Sequence, residues 1–152
     1  MTNDREDFLA YATQLRAEHR RLQDRLSRIE REWFPRQGDR FSTVDLPRMI
    51  EELETLCAEL THHFDEEESG GCLEEAVSRE PSLGPEATRL ENEHPELLGK
   101  LNGLIEKLRA ASRPDGSADN PEEDFQHFAN QLRAHEAAEN RVLAKGFGVE
   151  DE

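Results

Sequence analysis

The chain has 152 residues and a formal net charge of −16, with 36% charged and 34% hydrophobic residues. That length fits one domain, 1–152, with a core of its own, and the excess of acid argues against nucleic acid and anionic membranes as partners. No apolar run approaches the ~20 residues of a membrane span, the N-terminus lacks an apolar signal region, and Cys57 and Cys72 have no ligand-like spacing, so free thiols in a reducing cytoplasm are expected.

Leu, Glu, Arg and Ala dominate while β-branched residues are few, a mix that favours helix. The first helix is expected over about 4–33. Phe8, Ala12, Leu15, Leu22, Leu26, Ile29 and Trp33 recur at steps of three and four once position 19 is included. Pro35 and Gly38 end it. The second runs over about 44–78, with Thr43 as N-cap and Pro47 in the first turn. Its stripe is Leu46, Met49, Ile50, Leu53, Leu56, Leu60 and Phe64. Gly70-Gly71 marks a break or kink, and Leu73 to Val77 either continue the helix or form a separate turn.

The stretch Pro81 to Pro85 reads as a loop. A third helix is expected over about 86–111, with Leu90, Leu97, Leu101, Leu104 and Leu108 on one face and a kink or late start at Pro95. Arg113 to Asn120 read as a turn. Asn120, Pro121 and Glu123 start the fourth helix, about 120–145. Its stripe is Phe125, Phe128, Leu132, Val142 and Leu143, Gly146 and Gly148 close it, and Glu150 to Glu152 fray. Four amphipathic segments on short connections predict an all-α, up-down-up-down four-helix bundle.

Each segment carries a histidine on its apolar stripe. His19 lies four after Leu15, His63 three after Leu60, His94 four after Leu90 and His135 three after Leu132. Glu67 and Glu139 follow His63 and His135 by one turn. A lone histidine on an apolar face is more often a satisfied core residue than a ligand. Four, with two buried carboxylates, need charge compensation. Depth agrees: His19 precedes Trp33 by 14 residues, His63 follows Asp45 by 18, His94 precedes Ala111 by 17 and His135 follows Pro121 by 14. At ~1.5 Å per residue all four lie roughly 21–27 Å from one end of the bundle. Four imidazoles offer two nitrogens to each of two ions, and two carboxylates can bridge them, with an oxide or hydroxide completing the pair. A thiolate-free set of this kind suits iron or manganese better than structural zinc.

Glu18-His19-Arg20-Arg21-Leu22, His62-His63-Phe64-Asp65-Glu66-Glu67-Glu68, Glu93-His94 and His135-Glu136-Ala137-Ala138-Glu139, with Gly70-Gly71, are where the sequence resembles the hemerythrin-like (HHE cation-binding) domains, over positions 18–143. The resemblance implies a non-haem di-iron centre that binds oxygen, nitric oxide or peroxide. It places His19 and His63 on one iron, His94 and His135 on the other, and Glu67 and Glu139 between them. The oxygen carriers of that family have a second histidine on the third helix where this chain has Leu98, and they space an Asp five after the last histidine where this chain has Glu139 at four. The missing nitrogen leaves an open position unless water or Glu91 fills it, which favours redox reaction or sensing over oxygen storage. Three functions follow: a metal-dependent binding or sensing protein, with any protein or redox partner unspecified; a di-iron peroxidase or oxidase; and a metal-free helical interaction module.

His62 and His127 are expected at the boundary and in solvent, Asp65, Glu66 and Glu68 on a solvated face, and Cys57, Tyr11 and Trp33 in packing. Leu56, Leu60, Phe64, Leu97 and Phe128 are expected to wall the site.

Overall fold

The computed structural model describes residues 3–33, 46–113 and 121–148, with side chains described from Leu9 onward. Pro35, Gly38, Thr43, Asn120, Glu150 to Glu152 and the Phe8 side chain, all given roles above, lie outside what is described. Among the described residues there are five α-helices and no strand: α1 (Asn3–Trp33), α2 (Leu46–Gly70), α3 (Cys72–Arg79), α4 (Gly84–Ala111) and α5 (Pro121–Phe147). Among the described residues no helix is long and apolar enough to cross a membrane.

The stripes become the core as the helical period requires. α1 packs on α2 and α5, and α4 packs on α2 and α5. Leu22, Leu26, Met49, Leu53, Leu56, Leu60, Leu101, Phe125 and Phe128 fill one apolar cluster. A second cluster holds Ala12, Leu15, Cys72, Leu73, Ala76, Leu90, Val142, Leu143 and Phe147. His19, His63, His94 and His135 fall in chain position between residues of the two clusters.

The second predicted helix is two helices. Gly71 sits at φ 64°, in the left-handed region that only glycine adopts at little cost, and its N–H closes on the Glu67 carbonyl at 3.2 Å. Gly70 must lack a side chain for another reason: a Cβ there would overlap the Tyr11 ring, whose hydroxyl donates to the Glu66 carbonyl. The chain thus turns into α3, which packs against α5 and buries Cys72, Leu73 and Ala76.

Two expectations are corrected. The stretch read as a loop is a 3-10 turn, Pro81–Leu83, and α4 begins at Gly84 and runs through Pro95 without a late start. Gly146 does not close α5, which ends at Phe147 before Gly148 (φ 68°). Gly146 lets α3 approach: a Cβ there would lie 2.6 Å from the Ala76 Cα. Gly146→Ala should therefore destabilise the metal-free protein by about 1–3 kcal/mol through forced backbone displacement. Urea unfolding checks it; an unchanged midpoint would mean that α3 moves freely against α5.

Candidate metal centre

The six residues picked from the stripes come together. Their helices hold them at 3% exposure or less, except Glu67 at 4%. The His19 and His63 rings meet edge to face with centroids 4.9 Å apart, and the His94 and His135 rings do the same at 5.0 Å. Glu67 Oε1 lies 2.5 Å from His63 Nε2 and 3.9 Å from His19 Nε2. Glu139 reaches both pairs: 3.2 Å to His19 Nε2, 3.5 Å to His94 Nε2 and 3.4 Å to His135 Nε2. Two groups of potential ligand atoms result, His19, His63, Glu67 and Glu139 in one and His94, His135 and Glu139 in the other, and either can hold a metal ion.

All four imidazoles are turned the same way. Nδ1–H of His63 donates to Glu18 at 2.7 Å, that of His135 to Glu93 at 2.8 Å, that of His94 to Glu68 at 3.3 Å and that of His19 to the Asn140 side-chain oxygen at 2.9 Å. Because a carboxylate only accepts, this fixes the tautomer that leaves the Nε2 lone pair pointing inward. Those four Nε2 atoms, Glu67 Oε1 and both Glu139 oxygens are buried and have no partner beyond one another. Buried polar atoms are rarely left so. Here they converge on the space between them, and a donor set of imidazole nitrogen and carboxylate oxygen fits a divalent transition metal.

The electrostatics agree. With no cation bound, burial opposes a charged His135, but Glu139 outweighs it and raises its pKa to about 9. His19 is held well above its usual value in the same way, burial being overcome by Glu139 and Glu67, and His63 and His94 are raised too. Burial and the neighbouring Glu139 push Glu67 up; Glu139 itself stays well below the ordinary carboxylate range because the contacts from Glu67 and the histidines outweigh its burial. The centre therefore gathers protons where it would gather a cation.

The remaining candidates separate cleanly. His62 and His127 are exposed and pair with Glu66 and Glu123 one turn away on their own helices. Glu91 joins neither group of potential ligands among the described residues. Leu98 is partly buried against the first apolar cluster. Phe64 stacks on His94 at 3.9 Å and 9° between planes, walling that side. Glu68 is exposed, as its solvated-face reading has it, and its carboxylate also accepts from His94. Sequence reasoning missed Glu18, Glu93 and Asn140 as imidazole partners, although each of the two glutamates directly precedes a histidine. It also passed over Glu136, which is 2% exposed and whose pKa burial raises to about 7.

The chain matches the hemerythrin HHE cation-binding domain over residues 11–145. No curated protein and no solved structure matches it.

Proposed function

Because the chain belongs to the hemerythrin HHE cation-binding domain family, we propose that it is a single-domain, up-down-up-down bundle that holds two iron ions and binds or senses oxygen, nitric oxide or peroxide. The observation that carries this reading is Glu139, shared between two groups of buried histidines with its two oxygens turned to their Nε2 atoms. His19 and His63 would hold one ion, His94 and His135 the other, and Glu67 and Glu139 would lie between them. When bound, an iron pair supplies reversible one- and two-electron chemistry and positions for a small ligand.

The chain's own residues prepare that chemistry. Glu18, Glu68, Glu93 and Asn140 hold the rings so that Nε2 points inward without reorganisation. Phe64, packed on the rings of His63, His94 and His135, is buried and keeps water from that side of them. Leu98 brings no nitrogen to the second position, so His94, His135 and Glu139 leave it short of donors. That shortage supports sensing or redox reaction over storage. We place the protein in the cytoplasm, in keeping with its two free thiols, Cys57 and Cys72.

Mixing the anaerobic, ferrous-loaded protein with air tests the choice. Irreversible oxidation within the mixing experiment is expected. A stable adduct released under argon would make the chain a carrier, and sustained turnover of hydrogen peroxide, lost in Glu67→Ala, would make it an enzyme.

A further inference from the structure

The centre is built twice from one unit. In α1 and α2 the order is Glu18-His19, then His63-Phe64, then Glu67-Glu68. In α4 and α5 it is Glu93-His94, then His135-Glu136, then Glu139-Asn140, with the same spacing inside each helix. The contacts repeat with the order. The glutamate before the first histidine backs the second histidine of its own unit, Glu18 on His63 and Glu93 on His135. The residue after the inward carboxylate, Glu67 or Glu139, backs the first histidine of the other unit, Glu68 on His94 and Asn140 on His19.

Three places break the repeat, and all distinguish His19 from His94. The residue after the second histidine is Phe64 in one unit, stacked on the His94 ring. In the other it is Glu136, buried beside His19 at the wall of a cavity of about 490 Å³ that His19, Gln23, Asn140 and the arginines Arg16, Arg20 and Arg133 also line. Gln23, four residues after His19, donates to Glu136; its counterpart four after His94 is Leu98, partly buried against the apolar core. The third is Asn140 against Glu68. His19 therefore shares a cavity with a buried carboxyl, two amides and three arginines, while the His94 ring is stacked on an aromatic one. The donor count is unequal in the same sense, four groups around the His19–His63 position and three around the His94–His135 position.

We propose that this break makes the two metal positions unequal: the His19–His63 position takes the first divalent ion, the His94–His135 position takes the second, and Glu136 is the positioning residue that sets the order. It rests on the cation-binding reading above. Glu136 Oε2 is buried with no hydrogen-bond partner and lines one cavity with His19, beside Arg16, Arg20 and Arg133, so the carboxyl lies where an ion held through His19 would draw on its charge at short range. Phe64 offers His94 no charge. The amide behind His19 makes that imidazole a weaker donor than a carboxylate would, and the nearby Glu136 carboxyl supplies the missing negative charge from the side.

Titration of the metal-free chain with Co²⁺, followed by calorimetry and by the visible bands of the bound ion, tests this. The wild type should take two ions in steps at least about tenfold apart. His19→Ala should abolish the tighter step and His94→Ala the weaker. Glu136→Gln, which keeps the shape and the Gln23 contact, should weaken the tighter step by roughly 10–100-fold, the range for partners outside the ligand shell, and leave the weaker step unchanged. Glu136→Asp should retain much of the tighter step. A purely structural role for Glu136 would instead lower both steps together. Gln23→Leu, which installs the residue of the other side, should act in the same direction as Glu136→Gln and serves if that variant does not fold. Equal steps in the wild type, loss of the tighter step in His94→Ala, or a Glu136→Gln effect shared by both steps would overturn the proposal while leaving cation binding intact. No uptake of Co²⁺ or Fe²⁺ by the wild type would remove the cation-binding reading, and this proposal with it.

Discussion

Glu139→Ala should leave a folded chain that retains neither metal ion. Glu139 is the one carboxylate that belongs to both groups of potential ligands, with oxygens 3.2–3.5 Å from Nε2 of His19, His94 and His135. It is 1% exposed, so water does not replace it without opening the core. Removing a direct donor from both positions should cost each more than the roughly 10–100-fold that an outer partner costs. Glu67→Ala should be selective, since Glu67 belongs to one group only and lies 4.0 Å from the nearest atom of the other pair. Elemental analysis after ferrous loading and gel filtration reads the difference. Two ions retained by Glu139→Ala would show that Glu139 is a buried counter-charge for the histidines and no ligand. Far-ultraviolet circular dichroism controls for the fold, and Glu139→Gln keeps the volume while reducing the donor strength.

The second large effect is a reversal of pH dependence on loading. Without a cation the four histidines titrate above their ordinary value, His135 at about 9. A group whose pKa is raised on folding adds stability that is complete below its unfolded value, ~6.5 for histidine, and lost as pH rises through its folded value. The metal-free chain should therefore weaken between about pH 6.5 and 9, by roughly 3.5 kcal/mol from His135 at most, at about 1.4 kcal/mol per pH unit. Glu139 has the opposite sign: its lowered pKa adds stability that is present above ~4.5 and lost as pH falls through its folded value. Glu67, raised, partly opposes it at the acid side. The loaded chain needs neutral imidazoles, so acid should release its metal and raising pH from 6 to 8 should stabilise it. Urea unfolding at pH 6, 7 and 8.5, with and without a chelator, gives both slopes. Parallel slopes would mean that the histidines do not exchange protons for a cation.

What was legible in the sequence was what a single helix encodes. The steps of three and four put His19, His63, Glu67, His94, His135 and Glu139 on the buried faces, because a residue's face depends only on its own helix. The partners of Nδ1 depend on the axial offset between helices. Glu18 and Glu93 sit one residue, some 100° of turn, from the stripe, where they read as surface charges, and only packing brings them under His63 and His135. Glu136 sits equally off the stripe, and its burial follows from the closeness of α1 and α5 around the cavity behind His19. At Gly70-Gly71 the break was readable from composition. That α3 would pack back onto α5 was not, because Gly146 looks like a helix stop until Ala76 is seen against it. At Pro95 the late start does not occur, because a proline costs a helix only the bond its N–H would make and the carbonyl it crowds, and Leu90, His94, Leu97 and Leu101 are buried on both sides of it along α4.

The most direct test is metal per chain by elemental analysis on protein loaded with ferrous ion under argon and freed of excess, followed by an absorption spectrum in air. The buried donor set predicts about two irons per chain and near-ultraviolet charge-transfer bands of a bridged ferric pair. One zinc, or no metal in a chain that stays folded, would contradict it and would leave seven buried ligand atoms converging for some other reason.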